Sequence, residues 1–376
     1  MLKLITITSS RAEYDLLFPL LNYIRESKKI KNKIIACGSH LDNRFGRTIE
    51  LIKKDKFNDV LKIDTLHTNK KNSNYDTLNS FKIFFSKLSI FLNKKKVDAI
   101  LLLGDRYEIY ASSICAYFLD IPIVHISGGD TSLGSKDEIF RNSISLMSDL
   151  HFVKIDDHKK KLIKLGVNKK NIFVTGSLSN ENYRKKFSQK FFINKPFVLV
   201  TFHSVTNNKN LDLSNVKYLL KSLKKLSDYN LLFTSSNHDA GGKKINSMIK
   251  KFTKSNKNSL FVHNLGRELY YQAMKECEFM IGNSSSGIIE VPSFKKGTIN
   301  VGERQEGRLK SKSIIDCKPY KDEIIKAIEK LYSLDFKKVL EKSKNPYGEG
   351  EASKLIIEII KDLDLTSIKK KKFYDL

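Results

Sequence analysis

Ligands for a metal or a redox centre are scarce in this chain. Its four cysteines, Cys37, Cys115, Cys277 and Cys317, stand far apart with no CxxC or Cys/His spacing. That argues against a zinc site and a disulfide framework alike and fits a reducing compartment. No apolar run reaches the roughly 18 residues that a membrane span requires; the stretch 83–92 is interrupted by Lys87. The first residues enter a strand pattern at once, without the regions of a signal peptide. A cytoplasmic protein with no membrane partner is expected. The chain also lacks the GxGxxG of dinucleotide folds and the GxxxxGK[ST] of P-loop NTPases, which counts against an NAD or ATP enzyme.

Arginine is scarce too. Basic residues number 68 against 41 acidic ones, for a net charge of +27, yet only ten of the 68 are arginine. The lysines are spread along the whole chain among Asn and Ile. Nucleic-acid readers cluster Arg and interleave aromatics, so the excess reads as solvated lysine faces and no nucleic-acid partner is expected. There is no internal repeat of 20 to 50 residues and no low-complexity block beyond small lysine clusters.

What is present is a long alternation. At 376 residues, 40% of them hydrophobic, the chain exceeds one ordinary core and can fill two. Short apolar runs at 2–8, 33–37, 60–64, 99–103, 123–127, 150–153 and 172–175 alternate with helix-period segments near 14–27, 43–54, 76–95, 107–119, 138–148 and 156–165. A second series follows the polar stretch 180–195, with strands expected at 197–202, 231–235, 260–262, 279–281 and 298–301. Alternation of this kind predicts parallel sheets covered by helices on both faces. The expected architecture is α/β, two Rossmann-like doubly wound domains facing across a cleft: 1–180, 181–345, and a C-terminal helix and tail at 346–376 that packs back on the first domain.

Polar residues that a core would exclude recur directly after these strands. They are Ser9-Ser10-Arg11, Gly38-Ser39-His40, Gly104-Asp105-Arg106, Ser127-Gly128-Gly129-Asp130, His203, Ser236-Asn237-His238-Asp239 and the run 282–287. In open parallel sheets ligands bind beyond the carboxyl ends of the strands. The run 282–287 leads into a helix expected near Ile288, where small residues and serine hydroxyls suit a phosphate. Glu290 suits a ribose diol. Four of the ten arginines include Arg11, Arg106, Arg304 and Arg308 at such places, joined by Lys243; Arg is the better bidentate phosphate ligand. Candidate acids and bases are Asp105, Asp130, Asp137, Glu138 and His203.

The segments SSRAEYDLLFPLL at 9–21, GSHLDNRFGRTIELI at 38–52, LGDRYEI at 103–109, HISGGDTSLGSKDEIFRNSISLMSDLHF at 125–152, SSNHDAGGKK at 235–244, IGNSSSGIIEVPS at 281–293 and NVGERQEGR at 300–308 together resemble the UDP-N-acetylglucosamine 2-epimerase family. The likeness is greatest to its hydrolysing branch, which feeds sialic acid and related nonulosonic acid synthesis. The resemblance implies a GT-B-like pair of domains with UDP held mainly by the second. It places Ser284 and Ser285 on the diphosphate, Glu290 on the ribose and Arg304 on the nucleotide side. Arg11, His40, Arg106, Arg141, Asn237 and Lys243 fall on binding positions, and Asp105, Asp130, Asp137 and His203 on positions of sugar chemistry. No cofactor and no metal are implied, and a homo-oligomer, dimer or tetramer, is.

Two positions depart from the family pattern. Ser127 stands where many members have Glu, with Asp130 three residues later, and Asn142 follows Arg141 where His is usual. Which acid handles the C2 proton is therefore open between Asp130 and Asp137. The implied reaction removes that proton as UDP leaves, giving a 2-acetamidoglucal; water then adds at C1 while a proton returns to the opposite face of C2. The substrate implied is UDP-N-acetylglucosamine, or alternatively UDP-2,4-diacetamido-2,4,6-trideoxyglucose. A non-hydrolysing epimerase, a GT-B glycosyltransferase and a basic nucleic-acid binder are the rival readings.

Overall fold

In the computed structural model, residues 1–43, 46–65, 74–132, 136–181, 190–193, 196–205, 209–236 and 241–362 are described. The chain divides into two units, one of Met1–Asp130, Lys136–Glu181 and Glu351–Leu376, the other of Thr131–Ser135 and Asn182–Gly350.

The first unit is a seven-stranded sheet of β1 (Leu2–Thr8), β2 (Ile30–Ala36), β3 (Val60–Lys62), β4 (Ala99–Leu103), β5 (Ile123–Ile126), β6 (Leu150–Val153) and β7 (Ile172–Val174). All pairings are parallel, in the order β3-β2-β1-β4-β5-β6-β7. Its helices are α1 (Arg11–Glu26), α2 (Ile49–Lys54), α3 (Asn74–Asn93), α4 (Tyr107–Phe118), α5 (Lys136–Met147) and α6 (Asp156–Lys164). Strand β4 shows why its sequence is unbroken apolar: side chains alternate between faces. Ala99, Leu101 and Leu103 join the core of α1 and α2, while Ile100 and Leu102 join that of α3 and α4. Each fully buried aliphatic side chain contributes about 1.5–3 kcal/mol, so a polar substitution on either face is costly.

The second unit repeats the plan with β8 (Phe197–Thr201), α7 (Lys209–Leu223), β9 (Asn230–Thr234), α8 (Gly242–Ser255), β10 (Ser259–Val262), α9 (Gly266–Glu276), β11 (Phe279–Gly282), α10 (Ser286–Ile289), β12 (Gly297–Val301), β13 (Ile314–Cys317), α11 (Lys321–Tyr332) and α12 (Leu334–Lys342). The strand order is β10-β9-β8-β11-β12-β13. Val198 and Val200 face one core and Leu199 the other. Last comes α13 (Ala352–Asp362), whose Ile356, Ile357 and Ile360 share the first unit's core with Leu17, Leu20 and Ile24 of α1. Spacings of three and four residues put this stripe on one helix face.

Three expectations need correction. The helix expected over 43–54 begins only at Ile49, because Gly46 and Arg47 have φ of 79° and 45°. Strand β13 was absent from the expected set. It is an edge strand with a single buried residue, Ile315, and so lacks an apolar run. The helix expected near Ile288 is one turn starting at Ser286, followed by a turn at Val291–Phe294 that contains Pro292. A one-turn helix has little macrodipole, so anion binding there must come from individual amides and hydroxyls.

In both sheets the order reverses direction between the first strand and the fourth, at β1/β4 and at β8/β11. Doubly wound sheets bind ligands beyond the strand ends at such switch points.

Candidate active site

At the switch point of the first unit, Ser10 caps α1 and accepts from the Glu13 N–H. Glu13 reaches back and accepts from the Ser9 N–H at 2.7 Å and from the Ser9 hydroxyl, a variant of the capping box. Arg11, the first residue of α1, pairs with Asp15 at 3.2 Å. Across the switch, β4 ends in Gly104-Asp105-Arg106. The Arg106 guanidinium lies 3.2 Å from Glu108 by Nε, 3.3 Å by Nη2, and 3.6 Å from Glu13. Both carboxylates are buried. Burial pushes the Glu13 carboxyl up to about 7; Arg106 lowers it in part, and Glu108 raises it. His40 is buried with Nε2 at 3.0 Å from the Thr8 hydroxyl and Nδ1 at 2.8 Å from the Thr48 hydroxyl. Burial, then the Arg106 charge, brings it down to about 4. His40 is therefore neutral, with both nitrogens engaged inside the protein.

Asp105 begins a second network. It pairs with Arg141 of α5, which also donates to the Asp130 carbonyl at 2.8 Å and reaches Glu138 at 3.5 Å. Glu138 in turn lies 2.5 Å from Lys161 of α6. The Asp130 carboxylate is 2.6 Å from Lys154, at the exit of β6, and 3.7 Å from His158. Asp130 is almost wholly buried, whereas Asp137, in the first turn of α5, is exposed. Ser127, at the departure from the family pattern, directly follows β5 with φ of 69°, a left-handed conformation that costs a non-glycine residue about 1–2 kcal/mol.

At the switch point of the second unit, Asn283 follows β11 and His203 follows β8. The Asn283 carbonyl oxygen accepts from the His203 N–H at 2.7 Å, and its amide donates to the His203 carbonyl at 2.9 Å. Arg304 and Gln305 both donate to the Asn283 backbone carbonyl, at 3.0 and 2.9 Å. Arg308 donates to Gln305 at 2.8 Å. Gly282 makes this closeness possible: its φ is 141°, and a Cβ there would sit 1.9 Å from the Thr201 carbonyl oxygen. Burial, then the Arg304 charge, lowers His203 to about 3, so its imidazole is neutral. The Ser284 hydroxyl accepts from the Ser286 N–H at 3.3 Å, and Ser285 and Glu290 flank the one-turn α10, half-buried. The Tyr270 hydroxyl of α9 faces Ser286, Thr201 and Ser284; burial, its largest influence, raises the phenol, and Glu290 adds to it. Lys243 lies exposed in the first turn of α8. Asn237 lies outside the described residues.

The structure thus joins Asp105, Arg141, Glu138 and Asp130 in one network, and His203 with Arg304 through Asn283. Glu13, Glu108, Lys154 and Tyr270 were missed as site candidates, and Asn283 entered only as one residue of the run 282–287. A signal for the first two was present: Arg11-Ala12-Glu13 and Arg106-Tyr107-Glu108 are the same R-x-E triplet, placed after the two strands that flank the switch point. Among the described residues no group of three or more His, Cys, Asp or Glu could hold a metal ion, and no helix is long and apolar enough to cross a membrane.

A family model described as UDP-N-acetylglucosamine 2-epimerase matches residues 22–361. The chain is 38% identical to "GDP/UDP-N,N'-diacetylbacillosamine 2-epimerase (hydrolyzing)" of Campylobacter jejuni, over all of this chain and 99% of the relative. It is 35% identical to "Polysialic acid biosynthesis protein P7" of Escherichia coli, over all of this chain and 98% of the relative. Its fold is similar to that of the Neisseria meningitidis UDP-GlcNAc 2-epimerase bound to UDP-GlcNAc, with a TM-score of 0.79 at 19% identity, over 96% of this chain and 99% of that one.

Proposed function

This chain belongs to the UDP-N-acetylglucosamine 2-epimerase family, and from that premise we propose that it is a hydrolysing UDP-sugar 2-epimerase that converts UDP-N-acetylglucosamine to N-acetylmannosamine and UDP for nonulosonic acid synthesis. The observation that carries the reading is the pair of switch points: one gathers serines, Arg304 and Glu290, and the other gathers Arg106, Asp105 and Arg141. The first set suits UDP; in the second, Arg106 suits an anionic part of the substrate, and Asp105 with Arg141 suits the sugar. The relatives' names support the hydrolytic outcome and the pathway.

The C2 proton is not acidic, so its removal must be coupled to loss of UDP. Arg304 and the Ser284–Ser285 turn take the charge that develops on the diphosphate, and Glu290 takes the ribose. Electrons of the C2–H bond form the C1–C2 double bond as the C1–O bond breaks. Water then adds its oxygen to C1, and C2 receives a proton on the other face. Two proton carriers are needed, one for each face. We assign Asp137, exposed at the start of α5, and Asp105, oriented by Arg141. Asp130, facing the Lys154 ammonium in the interior, is assigned to holding the loop. His203, lowered to about 3, serves as a neutral hydrogen-bonding group beside the nucleotide. In the assembled state we take the enzyme to be a homo-oligomer.

A second reading concerns the sugar. The Campylobacter jejuni relative is named for N,N'-diacetylbacillosamine, which differs from N-acetylglucosamine at C4 and C6. The test is to supply purified protein with each UDP-sugar and follow UDP release and the free sugar by NMR. A kcat/KM at least tenfold higher for UDP-N-acetylglucosamine supports the first reading, and the reverse order the second. UDP retained on the epimerised sugar would overturn hydrolysis.

A further inference from the structure

Arg106 is held in an unusual way. Its side chain is 42% exposed, yet the two carboxylates beneath it, those of Glu13 and Glu108, are 11% and 1% exposed. They engage Nε and Nη2; among the described residues Nη1 makes no hydrogen bond, which leaves one edge of the fork for an outside acceptor. The cluster cannot relax easily. Glu13 is fixed by two donors of Ser9. Glu108 fills the space beside Gly38, where a Cβ would come within 2.5 Å of its Oε1.

Its charge count is the important point. One guanidinium and two ionised carboxylates leave a net charge of −1 in a buried place, an unfavourable platform for an anion. With one carboxyl protonated the cluster is neutral. The groups facing Glu13 agree on which one: Arg106 and Glu108 act from the β4–α4 side, Cys37 and neutral His40 from the exit of β2, and the Arg11–Asp15 pair stands on its own helix. Burial outweighs them, and Glu13 is the carboxyl brought to about 7.

We propose that Glu13 is a positioning residue that, with Glu108, holds the Arg106 guanidinium from beneath, and that it takes a proton from solvent when the anionic UDP-sugar binds. This rests on the reading that Arg106 contacts the substrate. The proton moves from water to a Glu13 carboxylate oxygen as the anion arrives and returns on product release; no other bond changes. The pyrophosphate diester of a UDP-sugar does not titrate near neutrality, so a proton linked to binding belongs to the protein.

The experiment is the pH dependence of UDP release from UDP-N-acetylglucosamine by the full chain, from pH 6 to 8.5, for wild type, Glu13→Gln and Glu13→Asp. Since kcat/KM reports groups of the free enzyme, the wild-type value should fall about tenfold per unit above pH 7, through KM, with kcat changing less than about threefold. Glu13→Gln, which cannot exchange a proton, should show a reduced value at pH 6 that stays level to pH 8.5. Glu13→Asp should restore the slope. Should Glu13→Gln fail to fold, the wild-type and Glu13→Asp profiles decide. A wild-type kcat/KM that is flat across this range, or a Glu13→Gln profile that keeps the wild-type slope, overturns the proposal while leaving the epimerase reading intact. Absence of UDP release from both UDP-sugars by wild type overturns the epimerase reading and this proposal with it.

Discussion

The side-chain amide of Asn283 closes on both backbone polar groups of His203, accepting at 2.7 Å and donating at 2.9 Å. It ties together the exits of the two strands that flank the second unit's switch point, and the backbone carbonyl of Asn283 is held by Arg304 and Gln305. Asn283→Asp keeps the acceptor but sets a negative oxygen against the His203 carbonyl. A lost hydrogen bond with an unsatisfied group costs about 1–3 kcal/mol. The variant should melt several degrees lower and bind UDP about tenfold more weakly. Calorimetry with UDP beside a thermal melt checks this; wild-type affinity in the variant would mean that the two strand exits need no tie.

Asp105→Asn should separate binding from chemistry. The amide keeps the shape, and Arg141 retains Glu138 as an anionic partner. UDP affinity should stay within about threefold while turnover falls by 10² or more, the usual size of a proton-transfer contribution. Steady-state UDP release together with UDP titration provides the check. Turnover near wild type would remove Asp105 from the chemistry.

Glu13 also predicts a pH dependence of stability. Its folded value near 7 lies above the ordinary 4.5, so between these values the folded chain holds more protons than the unfolded one and stability falls as pH rises. His40 and His203, depressed to about 4 and 3, act oppositely: their contribution is present above about 6.5 and is lost as pH falls. Glu13→Gln should therefore be more stable than wild type at pH 8, by up to about 3 kcal/mol, with most of the gain gone by pH 5. Denaturant unfolding at both pH values measures it. A variant less stable than wild type at pH 8 contradicts the burial argument.

Asp130 and Lys154 form a buried pair, at 4% and 14% side-chain exposure. Removing one partner of such a pair leaves an uncompensated charge and costs about 3–5 kcal/mol. Asp130→Asn alone should therefore unfold markedly more easily, and adding Lys154→Met should recover most of the loss. If Asp130 only holds the loop, the double variant should still exchange solvent deuterium into C2. Exchange abolished in a stable double variant would return Asp130 to the role of proton carrier.

Much of the fold could be read from the sequence because parallel strands buried on both faces are largely apolar runs: 2–8, 99–103 and 150–153 agree with β1, β4 and β6 at both ends. Strand β13 could not be read, since its one buried residue sits among polar neighbours. Polar residues after strands pointed to Asp105, Arg106 and His203 for the same periodic reason. Their partners were hidden: Glu13 and Glu108 look like ordinary acids in a first helical turn, and Asn283 like one more residue of a serine-rich turn. Only the strand order, which sets β1 beside β4 and β8 beside β11, brings these residues to their arginine and histidine.

The central claim is that proton exchange at C2 accompanies departure of UDP, and it is tested most directly by incubating the wild-type protein with UDP-N-acetylglucosamine in deuterium oxide and analysing the sugar by NMR and mass spectrometry. The account predicts free UDP and an equal amount of the 2-epimeric sugar carrying one deuterium at C2. Free UDP with a sugar that keeps both its configuration and its protium at C2 would contradict it.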